Sequence, residues 1–147
     1  MKRFRSVNEI LDFAIAKEIK AYHFYIELAK WVERAEVAKL FEDFSINELQ
    51  HKIRLESIKA GEVSIKEDEV GSLNIADSIE AAEPEVNLTY TEALVVAMQR
   101  EKEAFRLYTN LAAIYQDLGI RDTLLKLAQE EAQHKLYLEI EYDLMTF

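Results

Sequence analysis

Two Glu-x-x-His pairs are the residues of this sequence best suited to chemistry. Glu48 and His51 form one pair, and Glu131 and His134 form the other. Residues three apart on a helix lie on the same side, so each pair presents a carboxylate and an imidazole together. Carboxylate oxygen and neutral imidazole nitrogen are common ligands of divalent transition metals. Both pairs are therefore candidate metal ligands.

The two pairs belong to an internal repeat. An offset of 83 residues places Glu48 and His51 on Glu131 and His134, and it places Glu18 on Glu101 without a gap. The same offset holds across about fifty residues, which is typical of a duplicated structural unit. The chain is therefore predicted to contain two copies of a helical hairpin.

Glu18 and Glu101 lie in the middle of apolar stripes. At about 100° per residue, the neighbours of each glutamate on a helical wheel are mostly apolar. For Glu18 they are Leu11, Ala14, Ala21, Tyr22, Tyr25 and Ala29, and for Glu101 they are Leu94, Ala97, Ala104, Phe105, Tyr108 and Ala112. Both carboxylates are therefore expected to face the core.

Four glutamates facing one core require positive charge, because burying an unpaired carboxylate costs several kcal/mol. Two divalent metal ions would balance the four charges. One Glu from each of two helices and Glu-x-x-His from each of the other two is the ligand pattern of di-iron and di-manganese carboxylate bundles. The sequence thus predicts that Glu18, Glu48, His51, Glu101, Glu131 and His134 bind two iron ions, with manganese as the alternative and zinc as a substitute in a crystal.

Other readings of these residues are less specific. A single Glu-x-x-His is commonly a solvated surface pair, but two pairs on apolar faces with the same offset argue against that reading. Tyr25 and Tyr108 follow Glu18 and Glu101 by seven residues. They are either core aromatics or hydrogen-bond partners of a ligand carboxylate, which makes them the candidates for a catalytic role beside the metals.

Four long helices position these residues. They are predicted at 7–33, 36–60, 90–117 and 121–144, with Gly61 ending the second and Gly119 ending the third. Ser6 to Glu9 and Thr89 to Glu92 are both capping-box sequences. Residues 61–88 hold the only Pro and suit a long crossover. We expect one all-α, ferritin-like four-helix domain over 1–147, made of a hairpin at 6–60, the crossover and a hairpin at 89–146.

Composition excludes several function classes. The formal charge of −10 argues against nucleic acid or anionic lipid as a partner. Cysteine is absent, which excludes thiol catalysis, iron–sulfur clusters and rubredoxin-type iron within these residues. No apolar run approaches membrane-spanning length, and charged residues interrupt the region after the basic start. A cytoplasmic protein with no membrane partner is expected.

These motifs resemble the rubrerythrin-like branch of the ferritin-like superfamily. The resemblance lies in 16–18 leading to 25–29, and in 41–44 leading to 48–51, and it covers nearly the whole chain apart from the crossover. It implies the same six metal ligands, with Glu48 and Glu131 as bridging carboxylates. It also implies reduction of hydrogen peroxide, or oxygen, at a di-iron centre by a cytoplasmic oxidoreductase that acts in oxidative stress.

Two departures from that family bear on function. Without cysteine the electrons need an external donor, such as a rubredoxin-like protein. Typical rubrerythrins also carry an additional ligand Glu at the position of Ala104, so this chain has a symmetric six-ligand set. The alternatives are a ferroxidase or iron-storage protein and a non-redox metal-binding or sensing bundle. A homodimer is expected, since repeated hairpins on a long connection can exchange between chains.

Overall fold

Four α-helices account for most of the computed structural model, which describes residues 4–61 and 88–147. They are α1 (Val7–Trp31), α2 (Ala35–Ala60), α3 (Tyr90–Ile114) and α4 (Leu118–Thr146). No residue in the described ranges is in a β-strand. The all-α prediction is therefore confirmed, and each helix begins within three residues of its predicted start.

The described helices form two compact units, each a helical hairpin. The first unit contains α1 and α2, and the second contains α3 and α4. The predicted crossover falls almost wholly on residues 62–87, which lie outside the described residues. The assignment of 1–147 to one domain stays a prediction.

The first hairpin is antiparallel. Lys59, near the end of α2, donates to the carboxylate of Asp12, near the start of α1. At the other end of the hairpin, the rings of Tyr25 and Phe41 stack with centroids 6.2 Å apart. The two helices are joined by only three residues, and the backbone carbonyl of Arg34 accepts the first amide hydrogen bonds of α2. Gly61 caps α2, where its amide donates to the carbonyl of Ser57, as its position in the sequence predicted.

The second hairpin begins with the predicted capping box. The Thr89 hydroxyl accepts from the Glu92 amide, and the Thr89 amide donates to the Glu92 carboxylate at 2.9 Å. Hydrogen bonding to the Glu92 carboxylate, from the Thr89 backbone amide first and from the Thr89 side chain second, holds the pKa of Glu92 below its ordinary value. The capping box at Ser6 to Glu9 stays a prediction.

The turn between α3 and α4 corrects one prediction. Gly119 does not end α3, which stops at Ile114; it lies in the first turn of α4 instead. Asp117 explains the difference, because its carboxylate accepts from the Ile120 amide and so caps α4 earlier than expected. The guanidinium of Arg121 donates to the carbonyls of Ala112 and Tyr115, which satisfies the end of α3.

Among the described helices, none has the length and apolar content needed to cross a membrane.

Candidate metal centre

The first hairpin brings together Glu18 from α1 and the Glu48–His51 pair from α2. Nδ1 of His51 lies 3.1 Å from Oε2 of Glu18 and 3.1 Å from Oε1 of Glu48. Each of the three residues offers a ligand atom within 4.8 Å of the others. All three are at most 2% exposed, although two of them have carboxyl side chains. We call this set the first triplet.

The second hairpin repeats the arrangement with Glu101 from α3 and the Glu131–His134 pair from α4. Nδ1 of His134 lies 3.6 Å from Oε2 of Glu101 and 3.5 Å from Oε1 of Glu131. The ligand atoms of these residues also lie within 4.8 Å of one another, and all three residues are buried. This set is the second triplet. In both triplets the same ring nitrogen of histidine faces the two carboxylates.

The spacing of these atoms fits a shared metal ion. Ligand bonds of about 2.0–2.2 Å place neighbouring ligand atoms at right angles roughly 3.0 Å apart. The first triplet matches this separation, and the second is about half an ångström wider. The distances in the second triplet also exceed the usual range of an N–H···O hydrogen bond, about 2.7–3.2 Å. The single Nδ1 of His51 makes one hydrogen bond, to Glu18, and so does not by itself account for its equally short distance to Glu48. A metal ion shared by the ligand atoms suits both triplets.

The charge of each triplet leads to the same conclusion. Two buried carboxylates carry −2 when ionised, and a neutral imidazole adds none. One divalent cation would neutralise each triplet. Two oxygens and one nitrogen per metal favour iron or manganese, because structural zinc sites usually use more His or Cys. The residues present therefore fit a metal site in each hairpin.

The rubrerythrin family model matches residues 9–142, a range that includes both triplets. The chain belongs to the rubrerythrin family. No curated protein and no solved structure gives a significant match to it. The family match and the four helices confirm the ferritin-like fold class, and together with the buried Glu and His residues they indicate a di-iron protein.

Tyr25 and Tyr108, the two candidates for a role beside the metals, are both buried in this rubrerythrin-family chain. Tyr25 lies in an aromatic cluster, stacked on Phe41 and edge-on to Phe24 and Phe44. The equivalent positions around Tyr108 are leucines, all buried: Leu107, Leu124 and Leu127. The repeat therefore preserves the tyrosine and changes its surroundings. Their catalytic role stays a prediction.

Glu141 is a buried acidic residue that the repeat did not reveal. It is 6% exposed, and the hydroxyl of Tyr90 donates to its Oε2 at 2.6 Å. The equivalent positions in the first hairpin are Ile58 and Val7, so the offset of 83 gives no signal here. Helical periodicity could have predicted that Glu141 is buried, because Glu141 follows His134 by seven residues and therefore lies on the same face of the helix. The hydrogen bond between Tyr90 and Glu141 links the start of α3 to the last part of α4.

Proposed function

We propose that this chain is a di-iron oxidoreductase that reduces hydrogen peroxide with electrons from an external donor. The observation that carries the proposal is the pair of buried Glu/Glu/His triplets, one in each hairpin, in a member of the rubrerythrin family. Molecular oxygen is the alternative oxidant of the proposed di-iron centre.

The proposal requires each triplet to bind one iron ion. Each triplet supplies three ligand atoms, whereas iron and manganese sites commonly have more. Glu48 and Glu131 have the positions that the family resemblance assigns to bridging carboxylates. We therefore propose that Glu18, Glu48 and His51 would hold one ion and that Glu101, Glu131 and His134 would hold the other, with Glu48 and Glu131 able to offer a second carboxylate oxygen.

The overall reaction consumes two electrons and two protons for each peroxide and yields two molecules of water. Two ferrous ions would supply both electrons at once. The buried residues of the two triplets would hold the metals, and their burial would keep bulk water away from the reacting atoms. Tyr25 and Tyr108 would orient ligand carboxylates through hydrogen bonds, which fixes the ligand geometry.

The electron donor is proposed to be a separate protein. Rubredoxin-type iron needs cysteine ligands, and these 147 residues contain none. A rubredoxin-like protein or another small one-electron carrier would therefore reduce the centre between turnovers. The cytoplasm, where thiols and iron carriers are kept reduced, is the proposed location.

Anaerobic titration tests the function directly. Protein purified natively should contain two iron ions per chain, and one equivalent of peroxide should oxidise both ferrous ions. Addition of a reduced rubredoxin should then restore the ferrous absorption spectrum and permit repeated turnover. Accumulation of iron well beyond two per chain would favour storage instead. Metal that keeps its oxidation state under peroxide would favour a non-redox role.

A matched pair of histidine variants tests whether the triplets are responsible for peroxide reduction. His51→Gln should abolish two-electron oxidation of the centre, because one ion loses its only nitrogen ligand. His23→Gln is the control, since His23 is exposed and lies outside both triplets. If both variants reduce peroxide at the wild-type rate, the triplets are not the reactive centre.

A further inference from the structure

Tyr90 and Glu141 make a cross-helix contact on the ligand-bearing faces of the second hairpin. On α4, Glu141 follows the ligand His134 by seven residues, and on α3, Tyr90 precedes the ligand Glu101 by eleven. Seven and eleven residues are close to whole numbers of helical turns, so each residue shares the face of the ligand on its own helix. The hydrogen bond between them therefore spans α3 and α4 in the same direction as the second triplet does.

The Tyr90–Glu141 contact resists a change in the distance between the two helices. The Tyr90 hydroxyl donates to Oε2 of Glu141 at 2.6 Å. Glu141 is 6% exposed, and among the acidic residues that the structure describes it is the single buried one outside the triplets. Pulling the helices apart or together at this level would take a donor from a buried carboxylate, which is costly. The rigid tyrosine ring fixes the distance from the hydroxyl to the α3 backbone.

The first hairpin has no equivalent of this contact. The offset of 83 places Tyr90 on Val7 and Glu141 on Ile58. These aliphatic side chains form no hydrogen bond, and dispersion contacts have no preferred direction that would fix a helix separation. The Tyr90–Glu141 contact is therefore specific to the second hairpin, whereas the ligand residues are common to both.

The two triplets also differ in width. Nδ1 of His51 lies 3.1 Å from both carboxylates of the first triplet, whereas Nδ1 of His134 lies 3.6 Å and 3.5 Å from those of the second. Neighbouring ligand atoms of a bound transition metal lie roughly 3.0 Å apart. The first triplet already has this spacing. The second has to close by about half an ångström to reach it.

We infer that the Tyr90–Glu141 contact keeps the second triplet wide, so that this triplet binds its metal ion more weakly and fills after the first. A preorganised site binds more tightly because less free energy is spent on rearrangement. Tyr90 and Glu141 are then positioning residues, which act through the distance between α3 and α4. The inference rests on the proposed function in that each triplet binds one ion.

An order of filling would regulate the proposed reaction by metal supply. A chain filled at the first triplet alone holds one of the two ferrous ions that a two-electron reduction needs. The chain would therefore become active when the metal concentration rises far enough to fill the second triplet. Tyr90 and Glu141 would set that concentration.

Single-triplet variants of the full chain measure the two affinities separately. His51→Gln leaves the second triplet intact, and His134→Gln leaves the first. Titration of the apo proteins with manganous ion, followed by the electron paramagnetic resonance signal of the unbound ion, gives a dissociation constant for each. The second triplet should bind about tenfold more weakly than the first, the lower end of the effect of an outer-shell partner.

Removal of the Tyr90–Glu141 contact should tighten the second triplet. Tyr90→Val with Glu141→Ile installs the aliphatic residue types of the first hairpin, and in the His51→Gln chain it should raise the manganous affinity about tenfold. Disturbance of the fold alone would lower the affinity, so a gain identifies the positioning role. The matched control is Tyr137→Val with Glu139→Ile, the same substitutions at exposed positions of α4, which should leave the affinity unchanged.

Glu141→Gln separates distance from charge. Glutamine has the length of glutamate, and its amide oxygen still accepts from the Tyr90 hydroxyl. In the His51→Gln chain it should therefore leave the manganous affinity of the second triplet unchanged. Weaker binding would mean that Glu141 acts through its negative charge. Because this variant keeps the hydrogen bond, its result holds even where the double variant does not fold.

Several outcomes would overturn the inference and leave the proposed function in place. They are equal affinities in the two single-triplet variants, tighter binding at the second triplet, and weaker binding in Glu141→Gln. A folded Tyr90→Val, Glu141→Ile chain whose second triplet binds no more tightly would do the same. If neither the wild type nor the single-triplet variants bind manganous ion, the proposed function is wrong and the inference fails with it.

Discussion

Nδ1 of His51 lies 3.1 Å from the carboxylate of Glu18, which is thirty-three residues earlier in the chain and on another helix. Both side chains are buried. In the absence of metal, this contact is a hydrogen bond between an imidazole and a carboxylate. If the triplet binds a metal as proposed, the same nitrogen and oxygen would be neighbouring ligands. The triplet would then need little rearrangement between its metal-free and metal-bound forms.

Replacement of one histidine should remove one metal. His134→Gln deprives the second triplet of its nitrogen ligand, so tight binding should fall from two ions per chain to one. The loss of affinity at that triplet should exceed the 10–100-fold typical of losing an outer-shell partner. Isothermal titration of the apo protein with ferrous or manganous ion measures both quantities. His23→Gln should bind two ions with wild-type affinity, and two tight ions in His134→Gln would contradict the ligand assignment.

Metal should raise the melting temperature in a way that depends on Glu131. A ligand at one hundred times its dissociation constant stabilises the folded state by about 2.7 kcal/mol per site, or roughly 5–10 °C for a chain of this size. Glu131→Gln should lose most of that increase, because the amide cannot supply the charge that balances the metal. Without metal, the variant should be at least as stable as the wild type, since it buries one charge fewer.

The control for that experiment is Glu139→Gln on the same helix, where the carboxylate is exposed and pairs with Lys135. Its melting temperature should respond to metal as the wild type does. A wild-type midpoint that ignores saturating metal, or a Glu131→Gln protein that fails to fold, would contradict the account of the buried carboxylates.

The capping box at Thr89 should contribute a pH-dependent part of stability. The pKa of Glu92 is lowered in the folded state from an ordinary value of 4.5. Ionised Glu92 therefore stabilises the folded state above that ordinary value, and the contribution is lost as the pH falls through the lower folded pKa. Glu92→Gln keeps an acceptor for the Thr89 amide but carries no charge.

Thermal unfolding from about pH 6 to about pH 3 measures the difference between wild type and Glu92→Gln. The wild type should be the more stable at the upper end, and the two should converge at the lower end. The exposed Glu27, which pairs with Lys30, supplies the control Glu27→Gln. A gap that stays constant over the whole range would mean that the charge of Glu92 contributes nothing to the cap.

Tyr90 should stabilise the second hairpin through Glu141. Tyr90→Phe removes a hydroxyl that donates to a buried carboxylate, a hydrogen bond whose loss costs about 1.5–3 kcal/mol. Chemical denaturation of the metal-free protein should therefore show a lower midpoint with an unchanged slope. The first hairpin has Val7 and Ile58 at the equivalent positions, so Glu141→Ile combined with Tyr90→Phe should recover most of the loss. If the double variant is less stable than either single variant, Glu141 has another role.

The sequence predicted the buried acidic and imidazole residues better than it predicted the helix ends. The offset of 83 residues and the apolar surroundings of Glu18 and Glu101 were sufficient to select six residues, and all six are buried. Capping was less predictable, because a glycine near a helix end is a weaker signal than a side-chain cap. Gly61 lies where it was expected, whereas Asp117 starts α4 early enough to leave Gly119 inside the helix.

By itself, the sequence determined the helical class, the duplicated hairpin and which acidic and imidazole side chains are the candidate metal ligands. Each of these follows from local periodicity or from comparison of one half of the chain with the other. Only the tertiary structure decided that His51 reaches Glu18 at 3.1 Å, that His134 stands farther from Glu101 at 3.6 Å, and that Tyr90 contacts Glu141. These distances depend on how two helices pack side by side. That packing is set by the volumes of core side chains such as Phe41 and Leu124, which the repeat does not preserve.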